Sequence, residues 1–202
     1  MHSIFIFNHD ISCHKWIFIL VFVVRTALEE EMELKEFFLK QLEQETTLNR
    51  KVLDRVPEGR NDWKPHQKSM ALGYLAALVA GMPGWVAFMI EGDQLDFEDP
   101  QADKFRTRAV ETRAELLQLL EDGFAKAKRA LEGTDERHLH DRWRLVSGSR
   151  VLSEGPRYEM ISDAVFSHLA HHRGQLTVYL RLNEAAVPAL YGPSADEGQH
   201  FG

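Results

Sequence analysis

Hydrophobic residues recur at helical spacing in four blocks of this chain, and this periodicity limits the possible folds more than any other feature. Each block carries an apolar stripe along one side, which is stable in water only when another element covers it. Four such stripes predict an all-α protein, a four-helix bundle with a long crossover between the third and fourth helices. The blocks cover residues 32–56, the stretch that follows Ser69 as far as Met89, residues 107–131 and residues 159–183.

Local signals refine this outline of four helices. Ser69 is a natural N-cap for the second helix, and Pro83, which has a glycine close by on either side, predicts a kink within that helix. Residues 92–103 are acidic and contain a proline, which is typical of a surface loop. Residues 133–156 make up the long connection before the fourth helix, and their hydrophobic residues on either side of a glycine allow a short hairpin there.

Composition indicates one domain and excludes some classes of partner. The chain has 202 residues, of which 44% are hydrophobic and 27% are charged, enough for one sizeable core. The net charge of -7 and the pI near 5.8 argue against nucleic-acid binding, which requires clustered Lys and Arg. Cys13 is the single cysteine, so a disulfide within the chain is excluded and a cytoplasmic location is expected.

Residues 1–31 differ from the rest of the chain. They contain two short apolar runs, of which the longer, Trp16–Val24, is less than half of the roughly 20 residues that span a bilayer, so we expect no stable membrane insertion. A signal peptide is one interpretation of this segment. The interpretation we favour is that Met32 is the functional start and that residues 1–31 are a poorly ordered or non-native extension. The functional domain then covers residues 32–202.

Two histidines in the fourth block carry the main chemical signal. His168 and His172 are four residues apart, which places both imidazoles on the same face of a helix. Two neutral imidazoles form half of a site for a divalent metal. Gln175 lies one turn further on and is a candidate third ligand or a partner that orients an imidazole. Glu45 lies on the apolar stripe of the first helix, where its carboxylate needs a metal, an imidazole or the hydroxyl of Tyr179.

The neighbouring polar residues have simpler explanations. His171 points about 100° away from His172 around a helix, which favours a dimer surface or solvent. We expect Arg173 to pair with an acidic residue and Gly174 to allow close approach of another helix. The remaining candidate histidines are His66, expected in a loop or cap, and His138 and His140, expected to face solvent unless an extended segment turns them inward.

Five segments of the sequence form a combined motif. They are Trp63-Lys-Pro-His-Gln-Lys-Ser69, Pro83-Gly-Trp85, His168-Leu-Ala-His-His172-Arg-Gly-Gln-Leu-Thr-Val-Tyr-Leu-Arg, Val187-Pro188 and Tyr191-Gly-Pro-Ser-Ala-Asp-Glu197. Together they closely resemble the DinB/YfiT-like family of metal-dependent proteins. The resemblance covers roughly residues 32–198 and is far more specific than an isolated His-x-x-x-His pattern.

The resemblance implies a four-helix bundle, often a homodimer, that holds a divalent metal with three histidines. Two of them come from the fourth helix and match His168 and His172. The third comes from the second helix, at the position that Leu78 occupies in this chain. Because leucine cannot coordinate a metal, the ligand set is incomplete.

The function that follows is a metal-dependent hydrolase or thiol transferase that acts on an unknown small molecule. The expected ion is zinc, nickel or iron, with a carboxylate or water in the place lost at Leu78. The alternative is a non-catalytic bundle that binds a small molecule or a protein partner without metal. Other enzyme signatures are missing from the sequence, because it contains neither a Walker A loop nor a glycine-rich dinucleotide-binding motif, and Ser147 and Ser149 lack the context of a nucleophile elbow.

Overall fold

The computed structural model describes residues 32–198, except for the side chains of residues 103–105. The predictions for residues 1–31, including the expectation about Cys13, therefore lie outside the described residues.

Within the described part, the chain is mostly helical and also contains a small sheet. The α-helices are α1 (Leu34–Leu53), α2 (Leu72–Gly81), α3 (Trp85–Glu91), α4 (Arg113–Gly133), α5 (Glu136–His140), α6 (Arg157–Ile161) and α7 (His168–Leu182). The strands are β1 (Gln94–Asp96), β2 (Arg142–Ser147) and β3 (Arg150–Pro156), and 3₁₀ turns cover Met82–Gly84 and Pro100–Phe105. A π-helical segment, Ser162–Ser167, joins α6 to α7.

The long helical stretches pack around one core, the first and last in one direction and the middle two in the opposite direction. α1 and α7 run parallel, since the rings of Phe38 and Phe166 stack 5.9 Å apart while Glu45, further along α1, pairs with Arg173 further along α7. α4 runs antiparallel to α1, because Glu121 of α4 contacts the end of α1, whereas Lys128, further along α4, contacts the middle of α1. The continuous stretch of α2 and α3 is antiparallel to α7.

The predicted crossover lies in a different connection. The Asn61 side chain, just beyond α1, donates to the Val110 carbonyl at 3.2 Å, so the chain before α4 lies at the C-terminal end of α1. β1 pairs with β2 at the other end, close to where the backbone N–H of Leu34 donates to Glu136. Residues 97–112 therefore run the length of the bundle between the second and third long helical stretches, whereas residues 134–156 join neighbouring ends.

Helix predominates as predicted, but the described residues also contain a small sheet, so the all-α prediction is confirmed only in part. β2 and β3 form an antiparallel hairpin, as the sequence allowed, with Gly148 at φ +56° in its two-residue loop. Glycine suits that position because hairpin loops of this length favour a positive φ at their first residue. β1 pairs in parallel with β2 and lies within residues 92–103, which the sequence analysis assigned to a loop.

Two helix starts differ from the predictions for a physical reason. α4 begins at Arg113 rather than near residue 107, because the Thr112 side chain accepts from the backbone of Glu115 and the Glu115 side chain accepts from the backbone of Thr112. α2 begins at Leu72 without a side-chain cap from Ser69. The first free N–H groups of α2 donate instead to backbone carbonyls of the preceding loop, Leu72 to Trp63 and Gly73 to Asn61.

Pro83 lies in the 3₁₀ turn that links α2 to α3, at the position where the kink was predicted. The combined stretch, Leu72–Glu91, is the one helix of the described residues long and apolar enough to cross a membrane, and most of it is buried inside the protein. Burial of this kind is expected of the central helix of a core.

The close helix approach occurs at a different glycine from the predicted one. A Cβ at Gly84 would lie 3.2 Å from the Cα of Gly123, so α4 contacts the chain at Gly84 backbone to backbone. Gly174 is exposed, and a Cβ there would meet no atom within 4 Å. The prediction for Gly174 was therefore wrong, because it lies on the outward side of α7.

Candidate functional site

The π-helical segment determines how the fourth long helix presents its histidines. Residues 157–182 form a continuous helix, but its turn over Ser162–Ser167 is wider than an α-turn and ends directly before His168. A wide turn rotates all later side chains relative to the earlier ones, and such turns occur frequently at functional sites. The apolar stripe of the residues before this turn therefore does not predict which face of the helix the histidines occupy.

His168 and His172 face each other through the same ring nitrogen. Their Nε2 atoms are 2.8 Å apart, and their ring centroids are 4.5 Å apart. His172 is buried and His168 is half-buried. Two nitrogens at this distance need a shared proton or a cation between them, since two lone pairs would repel each other.

A chain of hydrogen bonds extends from His172 to the surface. His172 Nδ1 donates to Gln175 Oε1 at 2.9 Å, and Gln175 Nε2 donates to His171 Nε2 at 3.0 Å. Gln175 and His171 are both exposed. The place of Gln175 beside an imidazole was predicted from the sequence. The part of His171 in this group was not predicted, although the i, i+4 spacing of His171 and Gln175 on one helix allows the contact.

Burial lowers the pKa of His172 below its ordinary value. The hydrogen bond to Gln175 opposes this effect, while the neighbouring His168 and His171 lower the pKa further. The imidazole of His172 is therefore neutral near pH 7. A neutral imidazole is the form that can coordinate a metal or accept a proton.

Trp85 of α3 covers the His168 end of the pair. The centroids of its ring and the His168 ring are 6.1 Å apart, and their planes are inclined by 52°. At the other end of α7, the Tyr179 hydroxyl donates to the carbonyl of Met70, just before α2. These two contacts fix how the second and fourth helical stretches align.

Leu78 lies in α2 between those two contacts. Because these contacts align the two helical stretches, Leu78 lies at the same level along the bundle as the turn of α7 that carries His172. Its side chain is buried in a core cluster that also contains Leu169 and Leu176 of α7. This part of the interface between α2 and α7 is therefore apolar.

Glu45 belongs to a separate buried network. Its carboxylate pairs with Arg173 of α7 and accepts from the Tyr191 hydroxyl at 3.2 Å. Arg173 also donates to Asn49 Oδ1 at 2.7 Å, and Asn49 Nδ2 donates to the carbonyl of Val79 at 3.2 Å. Arg173 thus has the acidic partner that the sequence predicted, and Glu45 is bound to a guanidinium and a phenol rather than to an imidazole or Tyr179.

The other histidines lie in different surroundings. His66 Nδ1 accepts from the backbone of Lys68 in the loop before α2. His138 and His140 lie in α5, not in an extended segment; His138 Nε2 donates to the carbonyl of Ile90, and the ring of His140 packs edge-on to Tyr158.

The donor set fits a metal only in part. His168 and His172 supply two convergent nitrogens of the correct type. Across residues 32–198, however, His, Cys, Asp and Glu side chains form no group of three or more that could hold an ion. Among the described residues, two imidazole nitrogens thus converge without a third His, Cys, Asp or Glu side chain beside them.

The chain is similar to a curated protein in sequence and to a solved structure in fold. The chain is 25% identical over 167 residues to the uncharacterized protein YrdA of Bacillus subtilis strain 168, a match that covers 83% of this chain and 93% of YrdA. Its structure resembles the crystal structure of a DinB-like protein, YjoA of Bacillus subtilis, with a TM-score of 0.54 and 19% identity, over 73% of this chain and 92% of YjoA. No family model matches the chain.

Proposed function

Since the chain has the fold of a DinB-like protein, we propose that it is a four-helix-bundle metal protein whose ion is held by His168 and His172. The ion is divalent, with zinc, nickel and iron as the candidates. The observation that carries this proposal is the 2.8 Å separation of the two Nε2 atoms.

That separation suits two ligands of one ion. Nitrogens at about 2.0–2.1 Å from a metal and at right angles to each other are about 2.9 Å apart, whereas tetrahedral ligands are about 3.4 Å apart. A six-coordinate ion therefore needs almost no movement of the rings. A tetrahedral zinc needs the rings to open by roughly 0.5 Å, which side-chain rotation can supply.

The activity we propose is that of a metal-dependent hydrolase or thiol transferase. With Leu78 in the place of a third histidine, an ion held by His168 and His172 would have most of its coordination positions open to solvent and to a substrate. A bound divalent ion would supply Lewis acidity and lower the pKa of a water or thiol beside it. His168 and His172 would hold the ion, and Trp85 would exclude water from one side of the pair.

A second candidate function is a non-catalytic bundle that binds a small molecule or a protein partner without metal. The same pair of histidines favours it, because one proton between the two Nε2 atoms makes an ordinary hydrogen bond at 2.8 Å. A homodimer and a cytoplasmic location complete the proposal in both cases. They rest on the family resemblance and on the single cysteine, respectively.

Metal content separates the two functions. We expect untagged protein to retain close to one divalent ion per chain by elemental analysis, and a variant with both His168→Ala and His172→Ala to lose it. His140→Ala is the matched control, because it removes an exposed histidine that lies in another helix than His168 and His172 and should leave the metal content unchanged. Protein that takes up no divalent ion, or a double variant that keeps it, contradicts the metal function.

A further inference from the structure

We infer that Gln175 is a positioning residue, held by His171, that keeps the proton of His172 on Nδ1 and leaves its Nε2 free to face His168. The position of the proton follows from the orientation of the Gln175 amide. Its consequence for metal affinity rests on the proposed function.

The two ends of the Gln175 amide have opposite hydrogen-bonding roles. An amide oxygen can only accept a hydrogen bond and an amide nitrogen can only donate one. The Gln175 oxygen lies 2.9 Å from His172 Nδ1, so that nitrogen must carry the proton. In a neutral imidazole the other nitrogen, Nε2, then holds the lone pair.

The nitrogen of the Gln175 amide faces His171. Gln175 Nε2 lies 3.0 Å from His171 Nε2 and donates a hydrogen bond to it when the His171 ring carries its proton on Nδ1. Rotating the amide by half a turn would place its nitrogen against His172 Nδ1 and would move the His172 proton to Nε2, where a metal has to bind. With its proton on Nδ1, His171 therefore acts on His172 through Gln175, although it is itself exposed.

An imidazole bound to a metal generally donates its other N–H to an acceptor, and this hydrogen bond fixes the orientation of the ring. Loss of such an acceptor typically lowers metal affinity about 10- to 100-fold. Gln175 occupies an exposed position on α7, so replacing it removes little buried surface and tests its role without unfolding the protein.

The experiment locates the ring protons of the metal-free, full-length protein by proton–nitrogen NMR of its histidines, at a pH of about 8, where imidazoles are neutral. We expect wild-type His172 to carry its proton on Nδ1 and Gln175→Ala to populate both proton positions. Gln175→Glu keeps an acceptor oxygen and should restore the wild-type pattern. In His171→Ala the amide is free to rotate, and a mixture is again expected. Val178→Ala, an exposed control on the same helix, should resemble wild type.

Zinc titration of the same variants gives the second measurement. We expect Gln175→Ala to bind zinc at least about tenfold more weakly than wild type, and Gln175→Glu and Val178→Ala to bind it no more weakly. A wild-type proton on Nε2, or an unchanged proton position in Gln175→Ala, overturns the inference even if zinc binds. If the proton moves as expected but wild-type protein binds no zinc, the positioning role stands and the proposed metal function fails.

Discussion

At the scale of single residues, two of the polar groups that the described residues form have different tasks. His168 and His172 face each other and lead to the surface through Gln175, whereas Glu45, Asn49 and Arg173 join α1 to α7. The second group is buried, so its charges depend on each other for solvation. Its role is structural.

Breaking this ion pair should be costly. We expect Glu45→Ala to lower the free energy of unfolding by about 3–5 kcal/mol, because it leaves the guanidinium of Arg173 buried without its carboxylate. Arg50→Ala is the control, since the pair that it breaks with Glu121 is largely exposed and should contribute less than about 1 kcal/mol. Urea unfolding measures both values. Equal losses in the two variants would disagree with a buried role for Glu45.

Position 78 gives a second test at this scale. We expect Leu78→His to raise divalent-metal affinity by more than about tenfold by adding a third imidazole, and to cost roughly 2 kcal/mol of stability without metal. Tyr74→His places a histidine on the exposed side of the same helix and should not raise affinity. If zinc titration gives no gain for Leu78→His over that control, position 78 does not face the pair.

The residue-level predictions were limited by what spacing within a helix can reveal. The i, i+4 pattern was enough to bring His168 and His172 together, and it placed Gln175 one turn away. The partner of Glu45 was not foreseen, because it depends on how α1 and α7 align in space and on Tyr191, far away in sequence.

At the scale of helices and strands, periodicity located the long helices but not their ends or their closest contact. Capping by Thr112 and Glu115 moved the start of α4, and the π-helical turn altered the phase before His168. The sequence does not identify Gly84 and Gly123 as the glycines in close contact, because a glycine that allows close packing and one that faces solvent look alike in a single sequence.

Replacement by alanine should change the stability of the protein in opposite directions at the closely packed Gly84 and at the exposed Gly174. We expect Gly84→Ala to destabilise the protein by about 1–3 kcal/mol, because the new Cβ would meet the α4 backbone at 3.2 Å. Gly174→Ala should stabilise it by up to about 1 kcal/mol, since the added methyl group meets nothing and alanine favours a helix. Thermal unfolding compares the two variants. A stabilising Gly84→Ala would rule out the backbone contact as described.

At the scale of the whole molecule, the sheet and the crossover were the main differences from the prediction. β1 has three residues and pairs with β2 across a separation of 50 positions, so no local pattern marks it as a strand. The segment that runs along the bundle precedes α4 rather than following it. Connection length in sequence did not reveal this, because residues 134–156 fold back as a hairpin.

The lowered pKa of His172 predicts how the stability of the whole metal-free protein varies with pH. The unfolded chain protonates this residue near its ordinary pKa of about 6.5, while the folded protein keeps it neutral to lower pH. The unfolded state therefore binds more protons in that range, and stability falls as the pH decreases below about 6.5. Urea unfolding in the presence of a chelator measures this slope, and His172→Ala should reduce it. An unchanged slope in the variant would assign it to other groups.

The central claim is that His168 and His172 bind one divalent ion through Nε2, and X-ray absorption spectroscopy of untagged protein loaded with one equivalent of zinc or nickel tests it most directly. The account predicts two imidazole nitrogens at about 2.0–2.1 Å from the metal, with solvent oxygen atoms in the remaining positions. A spectrum without histidine ligands, or one that is the same in the His168→Ala, His172→Ala double variant, would contradict it.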